Sequence, residues 1–173
     1  RHMLDVIEKL LILRDRDKTI LQVEAELHGL ITERIATQTR TSEAETSLAD
    51  GKDKANHIES NRKQLENDAA LQQQAKEKYL GQQLQTKDNK EYLVFSSQIE
   101  TCEKKIAKFE DQELELMIEG DQQAEVIKTA NAVLAEAQKD LDTALTEIDE
   151  REKNLQERLS ETQSLRDEVA EQI

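Results

Sequence analysis

The chain has 173 residues, of which 36% are charged and 2% aromatic, with no proline, no tryptophan and a formal net charge of -14. So few bulky apolar side chains cannot fill the interior of a compact globule of this length. The acidic excess argues against a general polyanion-binding surface, because affinity for phosphates comes from clustered Lys and Arg.

Ala, Leu, Glu, Gln and Lys dominate instead, and these residues lose little side-chain freedom in a helix. The expected fold class is all-α, a long antiparallel two-helix coiled-coil hairpin. Cys102 stands alone, so neither an intrachain disulfide nor a cysteine-based zinc site can form within the chain. No apolar run approaches the roughly 20 residues that span a bilayer. The start, Arg1-His2-Met3-Leu4, leads into charged helix rather than a signal peptide, which reads as a cytoplasmic protein. Arg1-His2 has the look of an expression-tag remnant, leaving residues 3–85 as the first arm.

That arm opens on Val6, Ile7, Leu10, Leu11, Ile12 and Leu13, which cover more than the narrow stripe a two-helix seam buries. The excess is expected to pack on a second copy or on a domain following Ile173. Apolar residues then fall on one register at Val6, Leu10, Leu13, Ile20, Leu27 and Ile31, and on another at Leu48, Ala55, Ile58, Leu65, Ala69 and Tyr79. A register shift is expected between them, near Thr37 to Asp50. Gly51 and Gly120, with the threonine- and serine-rich stretch before Gly51, predict a bend or soft zone, since glycine costs a helix roughly 1 kcal/mol relative to alanine.

The one strong turn signal is Thr86-Lys87-Asp88-Asn89, close to the midpoint, so residues 86–89 are the expected hairpin turn. Asp88 is placed to cap the amide of Glu91 while Glu91 reaches back, and Asn89 is the alternative cap. The second arm, 90–173, carries a heptad seam through Phe95, Ile99, Cys102, Ile106, Phe109, Leu116, Ile127, Leu134, Leu141, Ile148, Leu155, Leu165 and Val169. Glu113, Gly120, Gln123, Arg151, Arg158 and Thr162 interrupt it. With the turn centred near Lys87, facing residues have numbers adding to about 175. That pairs Val6 with Val169, Leu10 with Leu165, Ile20 with Leu155 and Leu27 with Ile148. Arms of about 80 residues give a hairpin on the order of 120 Å long.

No phosphate-cradling glycine loop, nucleophile elbow or metal-ligand cluster is present, so an enzymatic reading is rejected. His2, His28 and His57 each lack a second ligand one turn away. Cys102 lies on the seam as a small apolar filler. Paired carboxylates abound, but a charge-rich helix face supplies them by chance. The hairpin tip stands out: Tyr79, Tyr92 and Phe95 gather there with Leu80, Leu84, Leu93 and Val94. Residues 76–108 hold seven lysines against five acids, a local +2 on a chain of -14. A basic, aromatic end on an acidic stalk suits docking of a protein or a nucleic acid. The plainer reading has the aromatics closing the coil and the lysines solubilising it.

Three segments carry a family resemblance: Leu10-Leu11-Ile12-Leu13-Arg14-Asp15-Arg16-Asp17, Thr86-Lys87-Asp88-Asn89-Lys90-Glu91-Tyr92, and Phe109-Glu110-Asp111-Gln112-Glu113-Leu114-Glu115-Leu116-Met117. Together they resemble the bacterial C4-type zinc-ribbon proteins with a long coiled-coil hairpin. The resemblance implies a small ribbon after residue 173, holding zinc through two Cys-x-x-Cys pairs that these 173 residues lack. It also implies an adaptor role in flagellar or type III secretion functions, with an alternative sigma factor of RNA polymerase, export components or RNA as partners. Carried over by position, Lys87, Asn89, Lys90, Glu91 and Tyr92 become the expected partner contacts, with Phe95 beside them. The rivals are an inert structural spacer and a nucleic-acid-binding adaptor. A hairpin monomer, a homodimer and an open four-stranded arrangement all satisfy the same seam.

Overall fold

A computed structural model describes residues 2–173, and it is an all-α helical hairpin. Helix α1 runs His2–Gln85 and helix α2 runs Asn89–Glu171. Residues 86–88 link them, so the turn is one residue shorter than expected because Asn89 already belongs to α2. The chain forms two compact units, one of residues up to Glu45 with Val133–Ile173, the other Thr46–Ala132. No helix is long and apolar enough to cross a membrane among the described residues.

In the first unit α1 presents two rows of buried and half-buried positions, each repeating every seven residues. One passes through Val6, Leu13, Ile20, Leu27, Arg34 and Thr41, the other through Lys9, Arg16, Val23, Leu30, Thr37 and Ala44. In the second unit α1 continues both rows without a slip, as Leu48, Ala55, Arg62, Ala69, Lys76 and Gln83, and as Gly51, Ile58, Leu65, Gln72, Tyr79 and Thr86. The expected register shift near Thr37 to Asp50 is therefore absent. It arose from counting Leu10 and Ile31 as seam residues. Both are exposed, whereas Lys9 and Leu30, beside them in sequence, are half-buried and buried. Helical structure also continues through Gly51 and Gly120.

Helix α2 keeps the expected 3-4 spacing from Phe95 to Ile148, with Glu113, Gly120 and Gln123 occupying seam positions rather than interrupting the row. Beyond Ala144 one row moves by a single residue to Leu145, Glu152, Leu159 and Arg166, while the other holds Ile148, Leu155, Thr162 and Val169. An α-helix of 3.6 residues per turn drifts about 20° per heptad, so over several heptads a neighbouring position rotates into the contact. Arg151, Arg158 and Leu165 are thereby left outside, and the expected pairing of Leu10 with Leu165 fails on both sides. The other three expected pairs keep both members in the seam.

Cross-helix partners fix the antiparallel sense within each unit. Tyr79 stacks against Phe95, Gly51 receives Gln123, and Thr41 meets Ala137; each pair has numbers adding to within a few of 175. Arginine pairs such as Arg166 with Asp17 and Arg34 with Asp149 add to 183 instead. Helical side chains lean toward their own N-terminus, so on antiparallel neighbours long side chains meet at higher sums. Val23 and Ile148 are 1% exposed, and burial of each contributes about 1.5–3 kcal/mol. Between such apolar layers lie polar ones: Gln123 donates to the Gly51 carbonyl at 2.9 Å, and the Arg62 guanidinium feels the charge of Glu113.

Candidate functional site at the hairpin turn

The turn is held by a chain of side-chain hydrogen bonds. The Thr86 amide donates to the Gln82 carbonyl at 3.1 Å, the last helical bond of α1. The Asp88 amide donates to the Thr86 hydroxyl oxygen at 3.3 Å, and that hydroxyl donates to the Glu91 carboxylate at 2.7 Å. Asp88 accepts from the Lys90 amide at 2.9 Å, and its carbonyl accepts the first helical bond of α2, from Tyr92 at 3.0 Å. Asp88 is thus the N-cap, as expected, but it caps Lys90 rather than Glu91. Glu91 reaches back to Thr86 instead of to the Asp88 amide. Its charge also lies in the first turn of α2, where the helix dipole favours an anion.

One turn behind, the Gln83 amide spans both helices, donating to the Tyr92 carbonyl at 3.1 Å and to the Ser96 hydroxyl at 2.6 Å. Behind that, Tyr79 and Phe95 rings pack with centroids 6.3 Å apart and a tilt of 33°. Lys76 pairs with Glu103 at 3.2 Å. Gln83 and Ser96 escaped sequence reasoning as contributors to the tip. Gln83 does occupy a seven-residue row of α1, which is the signal that finds it.

Of the expected contact residues, Lys87, Asn89, Lys90, Glu91 and Tyr92 are exposed and Phe95 is half-buried. Lys87 and Lys90 make no ion pair among the described residues, so their ammonium groups are available. Glu91 is committed to the turn and Phe95 to its stack on Tyr79. Around them Leu84 is 87% exposed, and Leu80, Tyr92, Leu93 and Val94 are exposed as well. The arrangement offers hydrogen-bond donors with positive charge beside uncovered aliphatic and phenolic surface, on a turn in which the Thr86, Asp88, Lys90 and Tyr92 amides are hydrogen-bonded.

The zinc implied by the family resemblance finds no ligand set here. Cys102 is buried in the seam, His57 contacts only Asp53 at 3.5 Å, and no three potential ligands come together among the described residues. No protein-family model, curated protein or solved structure matches the chain.

Proposed function

We propose that this protein is a non-catalytic coiled-coil adaptor that binds a protein partner through its hairpin tip. The observation that carries this reading is the uncovered tip: unpaired Lys87 and Lys90 beside exposed Leu84, Tyr92 and Leu93, on a turn organised by Asp88, Thr86 and Glu91. Preorganisation lowers the ordering cost of binding. Lys87, Lys90, Asn89 and Tyr92 are the contacting residues in this reading, and Glu91 and Phe95 support them from within the turn. The resemblance of the Thr86–Tyr92 segment to zinc-ribbon proteins with a coiled-coil hairpin points to a partner from transcription or from flagellar or type III secretion machinery.

The test is a triple substitution, Lys87→Ala, Lys90→Ala and Tyr92→Ala, compared with the parent for binding to a purified alternative sigma factor and to purified export components. A loss of tenfold or more in affinity, about 1.4 kcal/mol, is expected with helical content unchanged by circular dichroism. Equal affinity of parent and variant, or no binding by either, would leave the spacer reading in its place.

A further inference from the structure

The two sides of the hairpin tip are not alike. Each helical residue advances about 100° around its axis, and two antiparallel helices advance in opposite senses when viewed from one end. The residue after a seam residue therefore turns toward the same side of the pair on both helices. Leu80 follows Tyr79 and Leu84 follows Gln83 on α1, and Leu93 follows Tyr92 on α2. All three leucines thus share one side, where they are 39%, 87% and 60% exposed. A helix laid along such a side is the arrangement that covers aliphatic side chains one turn apart.

The charges around this patch run from paired to unpaired. Toward the shaft, Glu100 pairs with Lys104 at 3.3 Å, Glu103 pairs with Lys76 at 3.2 Å, and Glu77 accepts from Gln73 at 3.4 Å. At the turn, Asp88 accepts from the Lys90 amide and Glu91 from the Thr86 hydroxyl. The Lys87 and Lys90 ammonium groups have no charged partner among the described residues, so the turn end of the patch is complementary to an anion. The kind of anion follows from what surrounds it. No arginine lies between Arg62 and Arg151, and Tyr92 is the one exposed aromatic of the tip. Phosphates are best gripped by forked guanidinium groups and nucleobases by stacked rings. Leucines beside ammonium groups match leucines beside carboxylates instead. A second copy laid tip to tip would set the same lysines against each other.

We infer that the partner of this tip presents a short acidic amphipathic helix, whose apolar face covers Leu80, Leu84 and Leu93 and whose carboxylates reach Lys87 and Lys90. The inference rests on the reading of the tip as a protein-binding end and names what the bound protein must offer there. Two helical turns, about 11 Å, span the patch. The acidic end of the partner helix lies toward the turn, away from Glu77 and Glu100.

The full chain is used to select from a phage-displayed library of short random peptides, and an enriched peptide is then titrated by fluorescence anisotropy. Enriched peptides are expected to carry Leu, Ile or Met three and four residues apart, next to Asp or Glu. Leu84→Ser with Leu93→Ser, and Lys87→Glu with Lys90→Glu, should each lower affinity about tenfold or more with helical signal unchanged. The lysine-reversed variant should regain binding when the acids of the peptide are replaced by lysine. Tip-dependent peptides without acidic residues would overturn this inference and leave the tip as a protein-binding end. Peptides indifferent to both pairs of substitutions would overturn both. Binding of phosphatidylserine vesicles or single-stranded RNA through Lys87 and Lys90 with no such peptide enriched, or self-association lost in either variant, would also overturn it.

Discussion

Arg62 stands in a seam position of α1, where a charged guanidinium needs company. It donates to the Glu59 carboxylate at 2.9 Å, one turn back on the same helix, and Glu113 and Glu66 add their charge from further away. The Arg62 hydrogen bond holds the Glu59 carboxyl below its ordinary range, ahead of the smaller opposing effect of desolvation. A depressed folded-state value means that the contribution to stability is present above the unfolded carboxylate value and disappears as pH falls through the folded one. Glu59→Gln should therefore lower the melting temperature slightly at pH 7, and the gap from the parent should close only as pH falls past the depressed folded-state value, beneath the usual carboxylate range. A gap that stays constant with pH would assign the loss to packing rather than to the carboxylate charge.

Each helix is a compromise between heptad spacing and residues that fit it poorly. Gly120 occupies a seam position of α2, and a methyl group built there would meet only the Ile58 Cγ2 at 3.7 Å, an ordinary contact. Gly120→Ala should then raise unfolding stability by about 1 kcal/mol, the helix-propensity difference, read as a higher denaturant midpoint with an unchanged slope. A decrease would show that the backbone at this position needs glycine. The same mixture of residues decided what could be read in advance. The turn was legible because Asp88 and Glu91 carry cap chemistry, and α2 was legible up to Ile148 because its seam residues are mostly apolar. In α1 the seam was obscured, since Arg34, Thr37, Thr41, Gly51, Arg62, Gln72 and Lys76 hold seam positions while Leu10 and Ile31 do not. Neither could spacing alone foresee the one-residue move after Ala144, which depends on accumulated helical drift. At the tip, Lys87, Asn89, Lys90 and Tyr92 are exposed. The commitment of Glu91 to Thr86 depends on which of several nearby donors a carboxylate finds, and residue order does not settle that.

For the molecule as a whole, the covalent link between the two helices is a single three-residue connection, and the rest of their association is non-covalent. Among the described residues Lys87 is the one Lys or Arg outside a helix, and exposed turn tips are preferred sites of proteolytic nicking. Brief trypsin treatment should therefore cut first after Lys87, giving pieces 1–87 and 88–173. The cross-helix contacts survive such a cut: Gln123 to Gly51 and Tyr79 to Phe95 on the turn side, Arg34 to Asp149 and Arg166 to Asp17 on the other. The pieces should consequently co-elute under native conditions and separate in denaturant. What the cut removes is the linkage that makes pairing intramolecular, an effective concentration in the millimolar range for a short connection. The melting temperature of the nicked protein should thus fall below that of the intact chain at micromolar concentration and climb as concentration rises. Early cleavage at Arg40 or Lys52 in place of Lys87 would mean that α1 opens locally more readily than the turn is cut, and would move the weakest point of the hairpin from its tip to its shaft.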